Sequence, residues 1–224
     1  MDSHSETVVG RVPELSILIA THNTRHTELR RLVTTLMRTA SRYKGRIEVV
    51  AYYNDGELSI GTYRQRLLED ARGDYVCFLD DDDEVPPYYC KEILDNLGED
   101  YVGFRVQAFS DGVELRPAIH NLAYPNWHED DNGFYRDITH LNPIRREIAL
   151  KAGFRDEGAG EDTSYSARAK PFTMTQKYID KVMYFYRHSS TKTSFGGREE
   201  DKPLPVKVRP AFNYKNFRYY VEET

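Results

Sequence analysis

Five acids in a row, Asp80-Asp81-Asp82-Asp83-Glu84, follow directly on the apolar run Tyr75-Val76-Cys77-Phe78-Leu79. Strands buried in parallel sheets read as near-continuous apolar runs, and open α/β sheets bind ligands beyond the carboxyl ends of their strands. The stretch therefore predicts a central strand that delivers carboxylates to a site at its tip. Adjacent carboxylates repel one another, and clustered carboxylate oxygens suit hard cations such as Mg²⁺ or Mn²⁺, which often carry substrate phosphates too. A charge run is also what a solvated loop looks like, so the acids need the rest of the chain behind them.

The elements that must position them are legible on either side. Residues 15 to 20 read as a first buried strand, followed by the cap-type residues Thr21-His22-Asn23-Thr24. Leu29, Leu32, Val33, Leu36, Met37 and Ala40 lie at helical spacing and form one apolar stripe. A second strand over 47–53 ends in the turn signal Asn54-Asp55-Gly56, and a second helix covers 59–71. The acid-tipped strand comes third. Pro86 and Pro87 stand where the first turn of a third helix tolerates them, and Gly98 ends that helix. Strand and helix alternating at this spacing predict βαβ units, a parallel sheet and three strand tips on one edge. After residue 100 the pattern changes. Strands are expected over 101–109, 113–115 and 176–188, helices over 143–152 and 162–169, and an irregular stretch over 121–137 holding Trp127 and His128.

Composition bounds the rest. A chain of 224 residues makes one ordinary domain, long enough to bury roughly 70% of its unfolded surface. Charged residues make up 30%, with 31 Lys plus Arg against 36 Asp plus Glu and a net charge of −5. That balance argues against a general nucleic-acid binder. Cys77 and Cys90 lack metal-type spacing and suit a reducing compartment. No basic segment leads into an apolar one at the N-terminus, and no apolar run approaches the ~18 residues of a membrane span, so a cytoplasmic protein is expected. Neither G-x-G-x-x-G nor G-x-x-x-x-G-K-[ST] follows the first strand, so a dinucleotide fingerprint and a P-loop are unsupported. An EF-hand fails as well. Counted from Asp80, Val85 stands where that loop needs glycine and Lys91 where it needs glutamate.

Several motifs in order resemble family 2 glycosyltransferases of the GT-A type. They are Ile19-Ala20-Thr21-His22-Asn23, then Glu48-Val49-Val50 leading to Asn54-Asp55-Gly56, then Arg64-Gln65 with Ala71 and Gly73. Phe78-Leu79-Asp80-Asp81-Asp82-Asp83 resembles the D-x-D segment. Asn142-Pro143-Ile144-Arg145-Arg146 with Gly153-Phe154 comes next, and Gly160-Glu161-Asp162 with Tyr165 and Arg168 resembles the E-D motif. The resemblance spans residues 14 to 190. It departs from the family pattern at His22, at Asn54 (where an acid is common) and at Gln65 (where Asn is usual).

The resemblance implies an α/β GT-A fold, with a Rossmann-like, mostly parallel sheet flanked by helices and a smaller mixed acceptor-side region. In domain terms, 1–13 is a loose arm, 14–100 the nucleotide-sugar half, 101–197 the acceptor and catalytic half, and 198–224 a tail. It implies a metal-dependent, inverting transfer from a nucleoside-diphosphate-sugar, uridine-linked or otherwise, to an acceptor hydroxyl. Asp162 is the implied base, with Glu161 its orienting neighbour. Asp82 is the direct ligand of Mn²⁺ or Mg²⁺, and Asp80, on the same side of an extended chain, reaches the ribose or the metal's waters. Asp83 aims at the donor sugar, and Asp81 points away by alternation. Thr21 and Asn23 hold the nucleoside, Asn54 or Asp55 the base, and Arg64 the diphosphate. His188 is a third metal ligand or phosphate contact, with His140 its rival. Trp127 and His128 shape the acceptor site, and the acceptor is a glycan, lipid-linked sugar, protein or modified nucleic acid. Two other readings stand beside this one: nucleotidyl transfer to a sugar phosphate, which lacks its Gly-rich phosphate loop here, and a non-catalytic metal or carbohydrate binder.

Overall fold

A computed structural model describes residues 12–22, 24–54, 56–190 and 216–220. The expected arm, most of the tail, and the candidates Asn23 and Asp55 lie outside the described residues. Strands β1 (Leu15–His22), β2 (Ile47–Asn54) and β3 (Tyr75–Phe78) alternate with helices α1 (His26–Ala40), α2 (Ile60–Asp70) and α3 (Tyr89–Asp95). β1 sits between β2 and β3 and is parallel to both, with Leu18 opposite Val50 and Phe78. The three tips share one edge, as the alternation predicts.

Side chains alternate across this sheet, so each face needs its own cover. Leu15, Ile17 and Ile19 pack with Leu29, Leu32 and Leu36 of α1 and with Ile93 of α3. Leu18, Val50 and Phe78 pack on the other face with Leu67 of α2 and with Ile148 and Tyr165 further along the chain. That is why β1 and β2 are apolar without a polar stripe.

The second half is mixed. β4 (Tyr101–Ser110) turns at Asp111-Gly112 into the short β5 (Val113–Glu114), followed by β6 (Ala118–His120). Residues 121–137, expected to be irregular, contain the hairpin β7 (His128–Asp130) and β8 (Gly133–Arg136). Its turn is built by Asp130, whose carboxylate accepts the N–H groups of Asn132 and Gly133. Strands of three and four residues carry too little alternation to stand out in a sequence. Two helices also start elsewhere than expected. Ile144–Arg145 forms β9, wedged antiparallel between β3 and β4, so that helix α4 begins only at Arg146 (Arg146–Ala152). Pro86 and Pro87 precede α3 as a turn rather than forming its first turn.

Two late elements complete the site edge. Helix α5 (Glu161–Ala169) follows a loop at 153–160 that is clamped onto the start of α2. Gly61 donates its N–H to Glu157 O, and Ser59 and Thr62 both donate to Asp156. β10 (Gln176–His188) then runs parallel to β4, with His188 opposite Ser110, so its C-terminal end reaches the edge where the acids lie. In the tail, β11 (Asn216–Tyr220) pairs antiparallel with β2 and closes that end of the sheet.

Candidate active site

A cavity of about 620 Å³ opens at the strand tips. Thr21 and His22 of β1, Asn54 of β2 and Asp80, Asp81 and Asp82 beyond β3 line it. Arg64 of α2, Glu161 of α5 and Tyr186, Arg187 and His188 of β10 line it from the other side. Carboxylates from the D-x-D and E-D segments, some 80 positions apart in the chain, therefore face one space.

Arg64 joins them. One guanidinium nitrogen donates to Asp80 Oδ1 at 2.8 Å and the other to Glu161 Oε1 at 2.5 Å. The arginine is buried, so both bonds act in a low dielectric where charge-assisted pairs are strong. Burial alone would raise the pKa of Asp80, but Arg64 and His140 outweigh it and hold Asp80 well below the usual carboxylate range. In Glu161 burial prevails over Arg64, and the carboxyl is shifted upward. Arg64, expected at a diphosphate, is thus committed to two protein carboxylates. Glu161 is fixed in place and orients the start of α5.

The acids beyond β3 divide into wall and anchor. Asp82 leaves its carboxylate 20% exposed at the cavity, 3.5 Å from Arg25. Asp81 does not point away. It turns into the cavity wall and is 2% exposed, with Oδ2 accepting from Thr21 at 2.5 Å and Oδ1 from Arg25 at 2.7 Å. Strict alternation fails because a turn begins at Asp81, right after the strand. Burial pushes its pKa up to about 6, against the pull of Arg25. Asp83 does not reach toward a donor sugar. It is buried, accepting from the Tyr184 hydroxyl at 2.6 Å and from Arg187 N–H at 2.7 Å. Burial, and then the nearby charge of Asp80, raise its pKa well above the ordinary range. Its work is to pin the acidic turn to β10, beside the bridge between Glu84 and Phe185.

Other candidates are constrained in ways their types did not disclose. Asn54 lines the cavity with its side chain held locally, accepting Gly56 N–H and donating to Leu58 O, each at 2.9 Å. His188 Nδ1 lies 3.2 Å from the Ser110 hydroxyl, and the exposed ring lines the cavity. His140 is buried behind Asp80, 3.9 Å from Oδ2, and does not line the cavity. Trp127 donates to Ile138 O and stands under the Arg136 guanidinium at 4.9 Å. His128 stacks on Tyr135 at 4.8 Å. Asp162 lies in the first turn of α5, next in the chain to the cavity residue Glu161, accepting from Thr163 N–H through Oδ1. It is outside the cavity lining proper, yet its charge is felt at Tyr186 and at Arg136.

Residues 50–159 match the model of Glycosyl transferase family 2. The match covers just under half of the chain, which is similar to that family over this stretch. The matched stretch runs from β2 through the acidic turn to the threshold of α5. EpsH of Bacillus subtilis (strain 168) is 27% identical over 156 residues, 63% of this chain and 44% of EpsH. Crystal structures of S. aureus TarS share the fold. The TarS 1-349 complex with UDP-GlcNAc superposes with a TM-score of 0.57 at 14% identity, over 78% of this chain and 58% of that one. The complex with UDP gives 0.57 at 15% identity, over 78% and 60%. This chain therefore spans less than half of EpsH and about three-fifths of TarS 1-349. The GT-A architecture expected of a family 2 member is the architecture present.

Two cavity residues carry little sequence signal. Arg25 reads as a polar-face helix residue, and only its place four positions beyond Thr21 hints at the strand tip. Tyr186 looks like any strand tyrosine, yet it is 42% exposed on the cavity wall. Among the described residues, no three His, Cys, Asp or Glu side chains converge as a cage for a metal ion. No described helix is long and apolar enough to cross a membrane.

Proposed function

We propose that this domain moves a sugar from a nucleoside-diphosphate-sugar to an acceptor hydroxyl with inversion, using Asp162 as base and a divalent cation on the donor side. The observation that carries the reading is the single cavity holding both Asp80–Asp82 and Glu161, the neighbour of Asp162. The TarS complexes with UDP and UDP-GlcNAc support a nucleotide-sugar as donor on a shared fold.

The donor set suits a cation that arrives with its substrate. Mg²⁺ usually takes one or two protein carboxylates and completes its shell with phosphate and water. Asp82 would hold it directly and Asp80 through water, with His188 as the candidate on the facing wall. Such a cation supplies Lewis-acid stabilisation of the charge that grows on a departing diphosphate. Everything else falls to the chain. Thr21 and the β1 tip hold the nucleoside. The acceptor oxygen attacks the anomeric carbon from the face opposite the diphosphate. The new carbon–oxygen bond forms as the bond to the diphosphate breaks, and the hydroxyl proton passes to Asp162. Asp162, in the first turn of α5 next to the cavity residue Glu161, is the group assigned to receive it. Buried free thiols at Cys77 and Cys90 suit a reducing compartment and support a cytoplasmic reading.

The test is a pair of measurements on Asp162→Asn. Transfer should fall by about 10²- to 10⁴-fold, while calorimetric donor binding stays within a few-fold. Lost donor binding would overturn the assignment of the base. Excess chelator should silence the wild type, and restoration by Mn²⁺ or Mg²⁺ identifies the ion; full turnover in chelator would remove the cation.

A further inference from the structure

Behind the acidic turn lies a buried histidine whose ring bonds to nothing. His140 is 7% exposed, and neither Nδ1 nor Nε2 has a hydrogen-bond partner among the described residues. A neutral imidazole carries one donor and one acceptor, and burying both unpaired costs free energy. His120, which meets the neighbouring Thr139, shows the ordinary solution: its Nδ1 lies 2.6 Å from Asn142 Oδ1. An orphaned pair of nitrogens calls for a partner in another state of the site.

The polar atom that His140 faces is Asp80 Oδ2. It lies 3.9 Å from Nε2, about 1 Å beyond a hydrogen bond. The rest of Asp80 is already held. Oδ1 accepts from Arg64 at 2.8 Å, and the main-chain N–H donates to the Tyr184 hydroxyl at 3.1 Å. Oδ2 accepts from no described donor within hydrogen-bond reach. The imidazole is anchored too. Its residue's carbonyl accepts Phe78 N–H at 2.9 Å, and its ring lies 6.1 Å from the Phe78 ring. The turn that carries it is pinned by Thr139 Oγ1 donating to Asn142 Oδ1 and by Asn142 Nδ2 donating to Val102 O. Of the two, Asp80 has the freedom to turn, because its side chain is 31% exposed on the cavity. His140 does not line the cavity, so it reaches a substrate only through Asp80.

We propose that His140 is a positioning residue for the donor: when a nucleoside diphosphate fills the cavity, its Nε2–H closes on Asp80 Oδ2 and, with Arg64 on Oδ1, fixes that carboxylate in the orientation the donor needs. This rests on the reading of the cavity as a nucleotide-sugar site. A carboxylate gripped at both oxygens has less freedom left to lose on binding than one held at a single oxygen.

The test is calorimetric. UDP, GDP, ADP, CDP and dTDP are titrated with Mn²⁺ into the wild type, and the tightest is carried into the variants. His140→Gln, whose amide nitrogen reaches the place of Nε2, should bind within a few-fold of wild type. His140→Asn, which reaches only as far as Nδ1, and His140→Leu, which offers no donor, should each weaken binding by about 10- to 100-fold. Without nucleotide, His140→Leu should melt no lower than wild type, since neither ring nitrogen has a partner to lose; should it melt lower, the Gln and Asn pair decides. In an Asp80→Ala background, His140→Leu should weaken binding no further, because His140 acts through that carboxylate. Equal binding by wild type, Gln and Asn variants overturns the proposal, as does a full effect of His140→Leu without Asp80, and either leaves the glycosyltransfer reading standing. A wild type that binds none of the nucleotides overturns that reading, and the proposal with it.

Discussion

Asp81 shows how one carboxylate can be indispensable to a site without facing substrate. It holds Thr21 at the β1 tip and Arg25 just before α1, so it fixes that wall of the cavity. Its pKa of about 6 has a stability consequence. An acid whose folded-state pKa lies above its unfolded value grips its proton more tightly in the fold. Its contribution is most favourable at low pH and declines as pH rises from about 4 to about 6. The decline is on the order of 3 kcal/mol at most, from two units of difference. Asp83 and Glu161 are shifted in the same direction and add to it. In metal-free buffer, melting temperature should therefore drop between pH 4 and 6, and Asp81→Asn should flatten part of that drop. An unchanged slope in the variant would assign the effect to Asp83 and Glu161 alone.

Among elements, the contact of α2 with the 153–160 loop decides how the E-D segment meets the cavity. Gly61 is the point of closest approach. A Cβ there would lie 2.0 Å from Arg155 O and 3.0 Å from Glu157 O, both main-chain atoms that cannot swing aside. Ala for Gly in a helix ordinarily stabilises by about 1 kcal/mol. Here the overlap should reverse the sign. Gly61→Ala is expected to cost about 1–3 kcal/mol in denaturant unfolding and to lower transfer by shifting Glu161 and Asp162. A stabilised variant with full activity would show that the loop is free to move. Much at this scale was readable beforehand. The apolar stripe of α1 and the blocks of β1, β2 and β3 have long, one-period patterns, and each appears where expected. What stayed hidden depends on partners distant in sequence. β9 is two residues long and exists because Ile144 fits between Val76 and Tyr101. Asp81 and Asp83 traded their expected roles for internal ones because a turn broke the alternation and β10 supplied Tyr184. Arg64 points at acids rather than phosphate because Glu161, 97 positions away, waits across the cavity.

For the molecule as a whole, β2 would be an open sheet edge if β11 did not lie along it, with Phe217 opposite Ala51 and Tyr219 opposite Val49. Unpaired edges invite pairing between copies. Removing residues 212–224 should leave the cavity intact yet promote self-association, visible as earlier elution and increased light scattering at raised concentration. A truncated chain that stays dispersed at the wild-type level would show the edge to be protected by other means. The Arg64 bridge reaches further than its own pocket. One buried guanidinium answers to two acids from distant parts of the chain, so losing one acid leaves a neutral pair, and only loss of Arg64, or of both acids, strands charge in the interior. The clasp thereby ties the acidic turn after β3 to the first turn of α5, and a shift in either is felt by the other.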